Sequence, residues 1–430
     1  MNDHDPGFPR ELADALGSWL ARQRWYAGRP RTPVLRRVGG RRLTDPHGAV
    51  AVDVHLVQDR SGPVPVVYQI PLTTRSEPLP RAEASRVTVL QDPSGGQRHV
   101  YDGPHDAVFV DLLLAAVLVA GPDAPRPSLR SFRVLSGEQS NTSIVCELEG
   151  AEPVIVKLFR TLAPGPQPDV DLPAALSGVG SRDVPDSRGQ ARLDWDSGEG
   201  GAVTAYVAAA QTFVPGVRDA WQIFLDAARA DRDVTAAAKA LGRTTARLHR
   251  DLARALGRTA AGTAARDRLC ESIRERYAAA VAAAPELAED HATVDAILAD
   301  LVAADLPMLQ RIHGDYHLGQ VLAIDEERFL VIDFEGEPLR PLAQRVLPDL
   351  ALRDVAGMLR SFDYAAGTVA RELGAPTARD RWRNAATAAF RDGYHEVAGP
   401  IPGGRQLLRA LELDKALYEI AYEAGSRPTW

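Results

Sequence analysis

At 430 residues, 45% hydrophobic and 25% charged, the chain is too long for one core and is composed like an ordinary globular protein of two or three domains. Its net charge of −7 offers no general field for nucleic acid or acidic membrane surfaces, so an anionic ligand must be met locally by metal, lysine and backbone amides. Cys146 and Cys270, the only cysteines, fit neither a disulfide framework nor a zinc site, which suits a reducing, cytoplasmic setting.

The polar, acidic start MNDHDPGFPRELAD has no secretory pattern, and the longest apolar run, Ala107 to Gly121, contains Asp111 and falls short of a bilayer span. Residues 9–29 carry a helical stripe (Leu12, Leu16, Trp19, Leu20) and end in RQRWYAGRP, where Trp25 and Tyr26 read as core more readily than as a binding surface. Four β-branched runs come next, VLRRVGG, GAVAVDVHLVQD, VPVVYQIPL and SRVTVLQD, each bounded by Gly, Pro or Asp. They predict a small antiparallel sheet, closed by an apolar helix over 107–120. The Pro-rich GPDAPRPS is the expected joint between this domain and the next.

SFRVLSGEQSNTSIVCELEGAEPVIVKLFRTL predicts strand, polar loop, strand, turn, strand, with Lys157 on the third. Gly137, Gln139, Ser140, Asn141 and Thr142 in that loop can offer donors to phosphate oxygens, and Lys157 can neutralise them. Asp169 and Asp171 are the candidate acids to orient Lys157, Asp171 being the better placed in sequence. The Gly-, Ser- and Asp-rich segment 178–201 reads as a mobile connection. The strand Ala202 to Val214 then leads to Pro-Gly, a hinge whose Gln211 to Phe213 would meet an adenine.

From Trp221 to Asp305 the pattern is helical and Ala-rich, and His249 within it reads as a partnered or exposed helix histidine rather than a catalytic one. Leu309 to Pro338, LQRIHGDYHLGQVLAIDEERFLVIDFEGEP, concentrates the chemistry. Phosphoryl transfer of the protein-kinase type needs a carboxylate to accept the hydroxyl proton, an amide five residues on for a metal, and an Asp after the next strand to bridge metal and phosphates. Asp315, Gln320 and Asp333 match these needs, and a hairpin turning at Asp325-Glu-Glu would hold both metal ligands. HGD or DF alone says little; the order loop, Lys, HGD, DF is what points to a kinase.

Further helices are expected in LRDVAGMLRSFDYAA, with Arg353 and Asp354 at its start, in RWRNAATAAFRDGYHEVAG, and in LLRALELDKALYEIAYEAGSRPTW. On the last, Lys415, Tyr418, Glu419, Tyr422 and Glu423 share one face, either a solvated surface or the aromatic and charged wall of a sugar pocket.

WLARQRWYAGR, GEQSNTS, KLFR, HGDYHLGQVL, VIDFEGEP, LRDVAGMLRSFDYAA and the final helix together resemble the bacterial maltokinases. The resemblance implies an α+β, bilobal protein-kinase-like fold of the aminoglycoside-phosphotransferase type with an extra N-terminal α+β cap and a mainly helical C-terminal lobe. Its divisions would be 1–126 (cap), 127–215 (N-lobe with phosphate loop and Lys157) and 216–430 (C-lobe with catalytic and metal loops and sugar site).

It further implies transfer of the ATP γ-phosphate to the anomeric hydroxyl of maltose for α-glucan synthesis. Asp315 would be the base, Gln320 and Asp333 the Mg²⁺ ligands, Lys157 and Ser140 to Thr142 the phosphate grip. His317, Lys415, Tyr418, Glu419 and Tyr422 would meet the sugar, and trehalose synthase would be an associating partner. The family pattern has Glu where Asp171 stands, ahead of Pro173, and an acidic hinge residue near Thr212. Rival readings are a glucosamine kinase or other sugar kinase of this fold, an aminoglycoside phosphotransferase, and an inactive nucleotide-binding regulator.

Overall fold

The structure, a computed structural model, describes residues 8–92, 94–118, 127–135, 140–196, 201–337 and 340–426, with backbone alone for 421–426. Gly137 and Gln139 of the expected phosphate loop, most of the Pro-rich joint, and the side chain of Tyr422 lie outside that description. The chain forms two compact units, Met1–Pro166 with Asp186–Val214, and Gln167–Pro185 with Pro215–Trp430.

The first unit opens with α1 (Arg10–Leu20), whose stripe Leu12, Leu16, Trp19 and Leu20 is buried as its spacing predicts. Strands β1 (Leu35–Leu43), β2 (Ala51–Asp59), β3 (Val66–Arg75), β4 (Arg86–Gln91) and β5 (Gln97–Asp102) form the antiparallel sheet, in the order β1-β2-β3-β5-β4. β5 was not among the four expected runs; it slots between β3 and β4. Trp25 and Tyr26 are core: Tyr26 donates to Asp59 at 2.6 Å, and its ring lies 5.4 Å from that of Tyr68. Helix α2 (Ala107–Val117) starts at Asp106, which accepts the Val108 N–H and a bidentate Arg75 at 2.7 Å.

A second sheet is built from β6 (Leu129–Val134), β7 (Asn141–Leu148) and β8 (Val154–Phe159), then β10 (Ser187–Asp196) and β11 (Ala202–Thr212), in the order β10-β11-β8-β7-β6; the short β9 (Thr161–Leu162) joins β3 instead. One apolar core serves both sheets, with Phe109, Val110 and Leu114 of α2 packed among Val52 of β2 and Ile144, Val156 and Ala208 of the second sheet. Full burial of each of the Phe, Val, Leu and Ile side chains among them contributes roughly 1.5–3 kcal/mol.

Within the segment read as a mobile connection, residues 187–196 form β10, paired with β11 from Ser187↔Gln211 to Asp196↔Ala202. Its polar residues alternate outward from an edge strand, Arg188, Gln190, Arg192 and Asp194 facing water. Gly, Ser and Asp content hid a period-2 pattern that the pairing then uses.

The second unit begins with α3 (Pro168–Gly178) and continues through α4 (Ala220–Arg229), α5 (Thr235–Leu256), α6 (Thr263–Ala283), α7 (His291–Ala303), the short α8 (Leu342–Arg345), α9 (Leu352–Glu372), α10 (Asp380–Ala398) and α11 (Gly404–Ser426). Its strands are short: β12 (Arg218–Asp219), β13 (Arg258–Thr259), β14 (Leu309–Gln310), β15 (Val321–Ala323) and β16 (Phe329–Val331). β15 and β16 form the expected hairpin, extended on one side by β12, and the Asp325 carboxylate closes its turn by accepting the Glu327 and Arg328 N–H groups. No described helix is long and apolar enough to cross a membrane.

Candidate active site

The loop carrying Asp315 runs from β14 to β15 and hangs on one buried carboxylate. Asp354, 1% exposed on α9, accepts the His313 N–H with one oxygen and the Gly314 N–H with the other, both at 2.9 Å. His249 on α5 completes the grip, Nε2 3.0 Å from Asp354 and Nδ1 3.0 Å from the Tyr394 hydroxyl. Burial would raise the Asp354 carboxyl, yet the bond to His249, the charges of His249 and His313 and the Gly314 N–H bring it below its ordinary value. His249 is therefore a partnered helix histidine, as expected.

Two glycines let the loop sit this close. Gly314 has φ +86° and lies where an added Cβ would come within 3.3 Å of the Gly336 Cα. Gly357 on α9 passes under the loop so tightly that a Cβ there would stand 2.5 Å from the Tyr316 carbonyl oxygen.

Asp315 faces Lys415 of α11, whose Nζ is 3.7 Å away. Lys415 also lies 5.2 Å from the centre of the Tyr418 ring, and the Arg276 guanidinium 5.0 Å from it. Arg276, Gly314, Glu337 and Arg353 join Asp315 and Lys415 in lining a small pocket. Its charges are largely paired: Glu337 with Arg340 at 2.7 Å, Asp414 with Arg276 at 3.0 Å and with Arg353 at 2.8 Å, Asp349 with Arg353 at 2.9 Å.

His317 folds over its own loop, Nδ1 accepting the Gly319 N–H at 3.0 Å, and burial holds its pKa below the ordinary value despite the Asp315 charge. Glu419 pairs with Arg360, 2.8 Å away, and also acts electrostatically with Lys415, the residue of this helix that an ion pair places beside Asp315.

Gln320 is tied to the end of β16 through the Ile332 N–H, which bonds its backbone carbonyl at 3.0 Å. Asp333 takes a left-handed φ of +64°, a conformation uncommon for residues with a side chain but one that Asp tolerates better than most. Carboxylate oxygens of Asp333, Glu335 and Asp169 lie within 4.8 Å of one another. Three hard oxygen donors at that spacing fit a magnesium ion. Asp169 also accepts the Phe334 N–H at 2.9 Å, whereas Asp171 turns back onto its own helix start and accepts the Gln167 N–H at 2.8 Å. Of the two α3 acids, Asp169 is thus the one at the Asp333 turn.

In the first unit, Lys157 occupies the central strand β8, opposite Ser143 of β7 and Ala209 of β11. Asn141 opens β7 and its side-chain amide donates to the hydroxyl of Ser140, just before the strand, at 3.0 Å. The Thr142 hydroxyl turns inward to accept from Arg160 at 2.8 Å, so its side chain is committed to the interior. Gln211 lies on β11, and Phe213 comes two residues later, its N–H bonding the Pro153 carbonyl at 2.8 Å and its ring 5.4 Å from the Arg133 guanidinium.

Three supporting residues had no role expected of them from sequence. Asp354 sits inside the apolar stripe Val355, Met358, Phe362 and Ala365, and a carboxylate on such a stripe is itself the signal of a buried anchor. Arg160, 1% exposed, grips Asp102 through two bonds of 2.9 and 2.6 Å and stacks on Trp25, which no local pattern announces. Glu335 is two residues from Asp333, a spacing that on the turn brings both carboxylates to one side.

The profile of the maltokinase N-terminal cap domain matches residues 19–106, and that of the phosphotransferase enzyme family matches residues 131–410. The chain is 32% identical over 326 residues to a glucosamine kinase of Mycolicibacterium smegmatis, covering 70% of this chain and 77% of that one. It is 29% identical over 387 residues to a glucosamine kinase of Streptacidiphilus jiangxiensis, covering 81% and 84%. A glucosamine kinase solved with glucosamine, ADP and inorganic phosphate has a similar fold, with a TM-score of 0.66 at 24% identity over 96% of both chains.

Proposed function

The chain belongs to the phosphotransferase enzyme family and carries its maltokinase-type cap, and on that basis we propose that it moves the γ-phosphate of ATP to the anomeric hydroxyl of maltose, giving maltose 1-phosphate and ADP. It is an ATP-dependent phosphotransferase acting on a hydroxyl, a sugar kinase of this fold. Asp315 takes the proton of the attacking hydroxyl as the new oxygen–phosphorus bond forms and the bond to the bridging oxygen of ADP breaks. Lys157 grips the phosphates, with Ser140 and Asn141 beside them, and Gln211 and Phe213 meet the adenine. Asp333, Gln320, Glu335 and Asp169 would hold magnesium, which supplies charge neutralisation on the phosphate oxygens.

The observation that supports a neutral acceptor is Lys415, an ammonium 3.7 Å from the proposed base. Glu337 and Asp414 nearby already have arginine partners, so an ammonium sugar would have to share a carboxylate that is already neutralised. A disaccharide hydroxyl meets Lys415, Tyr418 and His317 with no such sharing.

Glucosamine is the second reading, favoured by the names of the related kinases. ADP release from Mg-ATP with maltose, glucosamine, glucose or an aminoglycoside separates them, maltose being expected to give the highest kcat/KM. Preference for glucosamine would overturn the acceptor assignment, and nucleotide binding without turnover on any acceptor would overturn the enzyme reading. Association with trehalose synthase, a supplier for α-glucan synthesis, is part of the same proposal and would show as co-elution of the two proteins.

A further inference from the structure

We propose that a cavity bounded by α9, α10 and the start of α11 binds a small anion with an apolar body, and that its occupant acts on the catalytic loop through Tyr394. The cavity measures about 450 Å³, within the size of small-molecule sites. Its floor is apolar, Leu352 and Val355 of α9 with Leu408 of α11, each buried. Arg391, His395 and Arg405 stand exposed around it.

The charge is one-sided. Among the described lining residues there is no carboxylate, and Glu412, which acts electrostatically with Arg391, is not one of them. Two guanidinium groups and an imidazole above a hydrocarbon floor select a phosphate or carboxylate head on an apolar body. A neutral apolar molecule would gain nothing from the two guanidinium groups, and a bare anion would leave the floor wet.

The coupling runs through shared side chains. Tyr394 forms a wall of the cavity and bonds His249 at 3.0 Å; His249 bonds Asp354 at 3.0 Å; Asp354 holds the His313 and Gly314 amides at 2.9 Å. Leu352 and Val355 flank Asp354 within one helical turn. An occupant that packs against these residues rigidifies the carboxylate on which the loop of Asp315 hangs.

Phenyl phosphate is the probe, titrated by calorimetry into the full chain with saturating Mg-ADP so that the nucleotide site is filled; benzyl alcohol and inorganic phosphate are the controls. Phenyl phosphate is expected to bind, both controls at least about tenfold more weakly, and R391A/R405A to lose about tenfold or more in affinity, with R391K/R405K retaining most of it. These arginines are exposed, so the variants fold, and circular dichroism verifies it. Absence of binding, or equal binding by wild type and R391A/R405A, overturns the site.

Amide exchange of the segment 309–317 reads the coupling without reference to catalysis: the bound probe should slow it several-fold in wild type and leave it unchanged in R391A/R405A. Binding with no change in that exchange overturns the coupling.

Discussion

Gly314 gives its backbone N–H to the fully buried carboxylate of Asp354 at 2.9 Å, so the glycine before the proposed base is held from below by a helix 40 residues further along the chain. The other Asp354 oxygen holds His313, and His249 keeps the carboxylate charged. The loop's shape therefore depends on an anion whose bonds all go to protein groups.

Asp354→Asn should weaken this anchor by replacing one acceptor oxygen with a donor that repels either the His313 or the Gly314 N–H. A loss of about 2–4 kcal/mol in urea denaturation is expected. Turnover should fall about 100-fold while ATP affinity holds, because only the loop of Asp315 is displaced. Unchanged kcat in a folded variant would show that the loop does not need the anchor.

Lys415→Met removes the ammonium beside Asp315. The kcat/KM for the sugar should drop about tenfold or more with the KM for ATP little changed, and Lys415→Arg should restore part of it. A loss confined to ATP would place Lys415 elsewhere in the reaction.

Glu419 lies on the same helix as Lys415 and pairs with Arg360. Burial raises its carboxyl above the ordinary value, and the Arg360 charge offsets this only in part. A folded-state pKa above the unfolded one means that the native protein holds the proton more tightly, so the stabilising contribution is full below the ordinary value near 4.5 and is lost as pH rises through the raised one. Wild-type stability relative to Glu419→Gln should therefore decline between pH 4.5 and neutrality, measured by thermal melting; a rise over that range would reverse the assignment.

Arg160→Met tests the first unit. Asp102 would be stranded with 4% exposure, and the Trp25 ring and Thr142 hydroxyl would lose their cation, for an expected loss of about 3–5 kcal/mol. Replacing Asp102 as well, with Arg160→Met/Asp102→Leu, should recover part of it, since the uncompensated charge is then gone. No recovery in the double variant would locate the cost in packing rather than charge.

Much of the fold was legible because it rests on short-range period. The leucine stripe of α1, the β-branched runs of β1 to β4, Lys157 on the third strand of its sheet and the hairpin turning at Asp325 are all placed by the structure as their local patterns predict. Segment 178–201 misled because only one face of its edge strand is covered: Ala191, Leu193 and Trp195 point inward between exposed polar residues, and the Gly, Ser and Asp content around them resembles a loop until a partner strand pairs with it.

Linear spacing was enough to recognise the family and to single out the proposed reacting groups, because Asp315, Gln320 and Asp333 lie close together along the chain. Which distant residues hold those groups was settled only by folding. Asp354 and His249 meet the HGD loop across 40 and more residues, Asp169 rather than Asp171 reaches Phe334, Glu419 goes to Arg360, and Lys415 comes within 3.7 Å of Asp315. Such pairings depend on helix packing and on which charges can be buried together, and no local pattern records either.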